Sequence, residues 1–355
     1  MSMRIVLPVS SKITNAVGQA EDDSSLAALL VGDGRPLLAL FALGLGLAGA
    51  FAWFLSAVGE ALPHELRFLG LTLDQLRTLA GGRVMDFMIH DRVAFGGTLL
   101  AMSVVYLWLI AGPLGHGERW AWWLIAITGS FGFASFAAYA GSGYIDTWHL
   151  AASAALVTAF VPGLVLTHRR LRPGRGPGSL VAWASSRTLP GLGRRLVALT
   201  GIGMVVAGTV ILVLGSIVVF VPQDIIYIGF DRSALDEMNS HLVPLVAHDR
   251  TGFGGGVATM GLLVLGCVAF ARWTVAVWQA LAVAGLIGFG AAIGVHGLVG
   301  YLDASHVGPA VAGAIVFLVG MWLSRPWASV ERLEPSPSAH RSTRDPAGSE
   351  AVVRS

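Results

Sequence analysis

Two stretches of this 355-residue chain carry nearly the same polar string, "IHDRVAFGG" at 89–97 and "AHDRTGFGGG" at 247–256. A second pair lies downstream of each, "GYIDTWH" at 143–149 and "GYLDASH" at 300–306. Such strings offer an imidazole that binds metal or moves a proton, a carboxylate that orients it, and a fixed cation. The spacing of three in Asp146/His149 and Asp303/His306 puts each carboxylate and imidazole on one helix face. Neutral imidazole and carboxylate are ordinary ligands of Zn, Fe and Cu-type ions. His90, Asp146, His149, His248, Asp303 and His306 are therefore the candidate metal ligands, with a divalent metal as the expected cofactor. Asp91, Arg92, Asp249 and Arg250 are the candidates for acid–base and charge-holding work.

A plainer reading competes. Aspartate is a preferred N-cap and suits the positive end of a helix, so Asp91, Asp249, Asp146 and Asp303 can simply start helices. Arg92 and Arg250 then clamp a loop to those aspartates, and Phe-Gly-Gly lets a neighbouring helix come close. This explains the Asp, Arg and Gly residues and gives the histidines no task. Haem is a third arrangement, with His149 and His306, or His90 and His248, as axial pairs. Histidines at helix ends, rather than well inside a bundle, speak against it. His64, His241 and His296 have no histidine partner in the other half, where Gln223, Arg83 and Tyr139 stand instead. For His296, a hydrogen-bonded interior role is the simpler expectation.

The elements that must position these residues are membrane helices. The composition is 55% hydrophobic and only 12% charged, about half the charged share of soluble domains. Eight apolar segments, at 36–58, 94–112, 120–140, 148–167, 196–220, 252–270, 274–297 and 306–324, approach the ~20 residues that span a bilayer. The loop "THRRLRPGRGPGSLVAWASSRTLPGLGRR" holds seven arginines, and basic loops stay cytoplasmic. Counting from it puts both termini inside a cell membrane. The inner segments then hold 17 of the 23 Lys and Arg residues; the outer ones carry twelve acids against six cations.

The chain reads as an all-α integral membrane protein of two parallel four-helix repeats. Its parts are a cytoplasmic segment at 1–35, a first repeat at 36–167, a basic linker at 168–195, a second repeat at 196–325 and a disordered tail at 326–355. "LPHELRFLGLTLDQL" (62–76) aligns with "VPQDIIYIGFDRSAL" (221–235) in its proline, acid, aromatic, Gly and Leu positions, ahead of the two His-Asp-Arg strings. An even number of helices per copy gives both copies one orientation, so all the strings share one outer depth. If the second and fourth helices of a half are neighbours, His90, Asp91, Arg92, Asp146 and His149 converge. His248, Asp249, Arg250, Asp303 and His306 then do the same in the other half.

Cys267 is the only cysteine, which excludes disulfides and thiolate clusters within one chain. Walker, GxSxG and HExxH motifs are absent, and no basic patch with interleaved aromatics points to nucleic acid. The expected partners are the bilayer and a lipid or quinone-like ligand. A transporter is the alternative, opposed by the lack of a charge near the middle of any span. A purely structural membrane protein, in which the strings only cap and clamp, is the other. The paired strings, with "VPQDIIYIGF" before the second, resemble a group of bacterial multi-pass membrane proteins. That resemblance covers most of 36–325 and implies a topology but no activity.

Overall fold

A computed structural model of the chain describes residues 31–145, 147–171 and 187–326. Among the described residues there is no strand. Eight helices among the described residues are long and apolar enough to cross a membrane. These long helices are α1 (Arg35–Ala57), α4 (Arg83–Leu109), α5 (Arg119–Ala137), α6 (Thr147–His168), α7 (Leu189–Ile217), α10 (Leu242–Phe270), α11 (Val275–Val299) and α12 (Ala304–Leu323). Two pairs of short helices separate the first long helix of each half from the second: α2 (Pro63–Leu69) with α3 (Leu73–Thr78), and α8 (Pro222–Ile228) with α9 (Arg232–Met238). Long, short, short, long, long, long is thus the order in both halves. The N-terminal segment, most of the basic linker and nearly all of the tail lie outside the described residues.

Local chemistry sets the short helices. Pro63 and Pro222 occupy the first helical turn, where a missing N–H costs nothing. Two residues later an acid turns back to the chain: Glu65 Oε2 accepts from the Leu62 N–H at 2.7 Å, and Asp224 Oδ2 from the Val221 N–H at 2.8 Å. Gly70 and Gly229 end these helices at φ +65° and +85°, a left-handed backbone that a side chain would strain.

The structure corrects the boundaries read from hydropathy for the second and sixth spans. These were expected from 94 and 252, which left the His-Asp-Arg strings at helix starts. The helices instead begin at Arg83 and Leu242, so both strings lie about two turns inside. Asp91 and Asp249 therefore cap nothing. Hydropathy rejects such a string, but a helix accepts it when every charge finds a partner.

Helix packing crosses between the halves. α4 and α10 are the most buried spans and touch each other at the centre. Each packs on the first long helix of its own half, α1 or α7, and on the third long helix of the other half, α11 or α5. The paired glycines set both contacts. A Cβ on Gly96 would meet the Gly49 carbonyl of α1 at 2.8 Å, and one on Gly97 would meet Ala291 Cβ of α11 at 2.3 Å. In α10 the same two places, Gly254 and Gly255, lie against Gly208 of α7 and Ser135 of α5. One glycine thus serves each neighbour. Gly97→Val is expected to push α11 from α4 at an overpacking cost of about 1–3 kcal/mol. Thermal unfolding in detergent checks this, with Gly294→Ala as the silent control because nothing lies within 4 Å of that position.

Two apolar clusters fill the interior. One, around Leu38, Tyr106, Ile125 and Leu263, occupies the body of the bundle. The other, with Leu76, Phe87, Leu235 and Leu245, lies under the short helices at the end where the polar strings sit.

Candidate metal centre

The crossed packing decides which polar residues meet. His90 stands on α4, His296 near the end of α11, and His306 on the first turn of α12. One ring nitrogen from each lies within 4.8 Å of those of the other two. His90 and His296 are buried, while His306 is half-buried.

The tautomers follow from the neighbours. His296 Nδ1 lies 2.7 Å from the Ala292 carbonyl oxygen, which can only accept, so this nitrogen carries the proton. His90 Nδ1 lies 3.0 Å from Asp91 Oδ1, and an ionised carboxylate likewise only accepts. In the neutral imidazoles both Nε2 atoms are then bare, and they face each other at 3.1 Å. Two lone pairs at that range repel unless a proton or a metal ion lies between them. With metal–nitrogen bonds of about 2.0–2.1 Å and tetrahedral angles, ligand nitrogens sit about 3.3 Å apart. The observed spacing fits such an ion. Carboxylate and backbone carbonyl behind the ligand imidazoles are also the usual outer partners of metal-bound histidine.

Behind the histidines lies a buried charge network. Arg250 Nη1 donates to Asp224 Oδ2 at 2.5 Å and to the Val219 carbonyl at 2.8 Å, and its Nε donates to Asp91 Oδ2 at 3.3 Å. The guanidinium lies 4.6 Å over the Phe87 ring. Asp224 Oδ1 accepts from the Tyr301 hydroxyl at 2.8 Å and stands 4.0 Å from His306 Nδ1. Burial first, and then the Asp224 carboxylate, push the Tyr301 phenol well above its ordinary pKa, so it keeps its proton. Arg250 thus joins the carboxylate behind His90 to the one beside His306. The first string supplies His90 and Asp91, and the second supplies Arg250.

The remaining residues of the strings form a different arrangement. His149 Nδ1 of α6 meets His248 Nε2 of α10 at 3.0 Å, with the rings nearly parallel at 12°. Such a pair is satisfied by one imidazole donating to the other. Arg92 donates to Glu65 Oε2 at 2.5 Å and to the Glu60 carbonyl at 3.0 Å. Asp249 is half-buried, within electrostatic reach of Arg92, Glu65 and His149. In the sequence, His296 stands where the first half has Tyr139.

The strings therefore do not converge within a half. His90 meets residues of α11 and α12, and His248 meets α6, because the neighbours of α4 and α10 come from the opposite half. Neither histidine pair suggested for haem is a pair that meets. Asp303 is the N-cap of α12, its Oδ1 accepting from the Ser305 and His306 N–H groups at 2.9 Å each. The Ser305 hydroxyl, which donates to the same Oδ1 at 2.5 Å, and then these N–H groups hold its carboxyl below the usual range. This matches the capping role weighed for it, and it positions His306. Asp146 lies outside the described residues. His241 is the exposed N-cap of α10 and leans on Phe68, with ring centroids 4.6 Å apart.

Glu65, Asp224 and Tyr301 were not singled out as site residues. The acids stood among the matching positions of the two loop segments, and Tyr301 stands inside the repeated Gly-Tyr string, so a signal existed for each. No protein-family model, curated protein or solved structure matches the chain. Fold and site define a multi-pass helical membrane protein with a three-histidine cluster.

Proposed function

We propose that His90, His296 and His306 hold one transition-metal ion, and that the chain is a metal-dependent enzyme of the cell membrane acting on a lipid or quinone-like molecule. The observation that carries this is the pair of Nε2 atoms facing each other at 3.1 Å, both bare in the neutral imidazoles, with a third histidine nitrogen within 4.8 Å of them. Three imidazoles leave an ion an open position for water or substrate, where it can lower the pKa of water, polarise a carbonyl or pass an electron. Asp91 fixes His90, Asp303 fixes the helix that presents His306, and Arg250 neutralises the acids behind them.

Access from the lipid side supports the substrate class. Around Tyr301 and His306, the side chains of Ile226, Leu298 and Leu302 are 78%, 81% and 72% exposed. In a membrane protein such exposure suits contact with acyl or isoprenoid chains. The two halves read as duplicated four-helix units with both termini cytoplasmic. In that reading one copy of the site kept three imidazoles and the other two.

Cobalt(II) titration of detergent-purified protein tests the assignment. The expected result is one ion per chain, with the visible absorption bands of a low-symmetry three-nitrogen site, lost in His306→Ala. A colourless, unsaturated titration in the unmodified protein refutes it.

A further inference from the structure

A stack of aromatic rings leads away from the cluster. Tyr301 lies face to face with His306, with centroids 4.4 Å apart at 23°, and with Tyr227 of α8 on its other side, 4.4 Å apart at 14°. Tyr301 is buried, Tyr227 is half-buried, and the exposed Arg83 lies 4.9 Å over the Tyr227 ring. The Tyr227 hydroxyl donates to the Val299 carbonyl at 2.7 Å, and that of Tyr301 to Asp224 at 2.8 Å. The rungs therefore run unbroken from the surface under the short helices to a histidine of the cluster.

The other half supplies an internal control. There the Tyr144 and Phe68 rings lie 4.4 Å apart, tilted at 38°, with His241 4.6 Å from Phe68 in the place of Arg83. Packing alone is thus satisfied by phenylalanine at the outer rung. Of the two stacks, only the one that ends on the three-histidine cluster has a phenol at its outer rung as well as its inner one, and a phenol, unlike phenylalanine, can give up an electron together with its proton. Each phenol also has a fixed acceptor, and Asp224 can take the Tyr301 proton and return it.

We propose that Tyr227 and Tyr301 form a one-electron route from a hydroquinone at the α8 surface to an oxidised metal ion held by the three histidines. This rests on the metal-centre reading above and names the quinone-like class as the substrate. A hydroquinone gives one electron through Tyr227 and Tyr301 to the ion, which is reduced by one unit, and releases one proton to water. Each tyrosine is oxidised and restored in turn, Tyr301 lending its proton to Asp224 and the half-buried Tyr227 its proton to water. The semiquinone gives its electron to a second oxidised centre and its remaining proton to water. Two oxidised ions and one hydroquinone thus yield two reduced ions, one quinone and two protons. Arg83 over Tyr227 supplies a cation for the semiquinone oxygen, and the exposed Ile226 beside it supplies an apolar surface for the chain.

Copper(II) is the probe: the full chain in detergent is loaded with one equivalent, and loss of the copper(II) paramagnetic signal is timed after mixing with a short-chain hydroquinone. Tyr227→Phe, which copies Phe68, and Tyr301→Phe are each expected to slow reduction at least about tenfold, a barrier increase of about 1.4 kcal/mol. Copper affinity and the unreduced spectrum stay as in the unmodified protein. Equal rates in all three proteins, with copper bound in each, overturn the route and leave the metal centre standing. Failure of the unmodified protein to bind copper(II) overturns both. Tyr227 is only half-buried, so its variant decides the matter even if Tyr301→Phe does not fold.

Discussion

Arg250→Leu is expected to destabilise the protein by about 3–5 kcal/mol, the usual cost of stranding a buried charge. Arg250 is the shared partner of two buried carboxylates, Asp224 and Asp91, which are 0% and 4% exposed at the side chain. Without it both must take up protons or draw in water. Asp224 also holds the α8 backbone and the Tyr301 hydroxyl, so the short helix loosens with the pair. Arg250→Lys keeps the charge but not the fork that reaches both acids, and should fall between the two. Thermal unfolding in detergent, read by near-ultraviolet dichroism, measures this. An unchanged midpoint for Arg250→Leu would mean that the carboxylates are not ionised partners of this arginine.

The second large effect is on metal affinity. Asp91→Asn is expected to weaken binding about 10–100-fold, as loss of an outer carboxylate behind a ligand histidine does elsewhere. The amide oxygen still accepts from His90 Nδ1, so the ring stays oriented, but the negative charge that makes Nε2 more basic is gone. Asp249→Asn is the matched control: it changes the same position of the other string, and no histidine of the three-histidine cluster is hydrogen-bonded to it. Competition with a chelator of known affinity separates the two variants. Equal weakening by both would show that the asymmetry between the halves has no bearing on metal.

Much of the fold was legible because bilayer physics leaves few choices: eight apolar runs of sufficient length can only be spans. The polar strings also stood out, since His-Asp-Arg recurs where the lipid-facing residues have diverged. Helix starts were less legible, because hydropathy alone cannot see that Arg92 meets Glu65 and Arg250 meets Asp224. The pairing of helices was not legible at all. Composition says that α4 is a span, but not that α11 rather than α6 covers it. For that reason His90 was matched with His149, and His296, whose counterpart is Tyr139, was given an interior hydrogen-bonding role. It does make that bond, to Ala292, and the bond is what frees its other nitrogen.

The plainer capping and clamping reading is partly realised in the same residues. Asp303 caps α12, and both arginines clamp a short helix through its acid. The clamps set the helix ends beside the polar strings, and the cross-half glycine contacts set their spacing. Together they bring one imidazole from α4 to two from the opposite half.

The central claim is most directly tested by metal analysis of the purified protein beside His296→Ala and His149→Ala. One metal ion per chain is expected in the unmodified protein and in His149→Ala, and none in His296→Ala. Equal metal content in all three, whether one ion or none, would contradict the three-histidine centre.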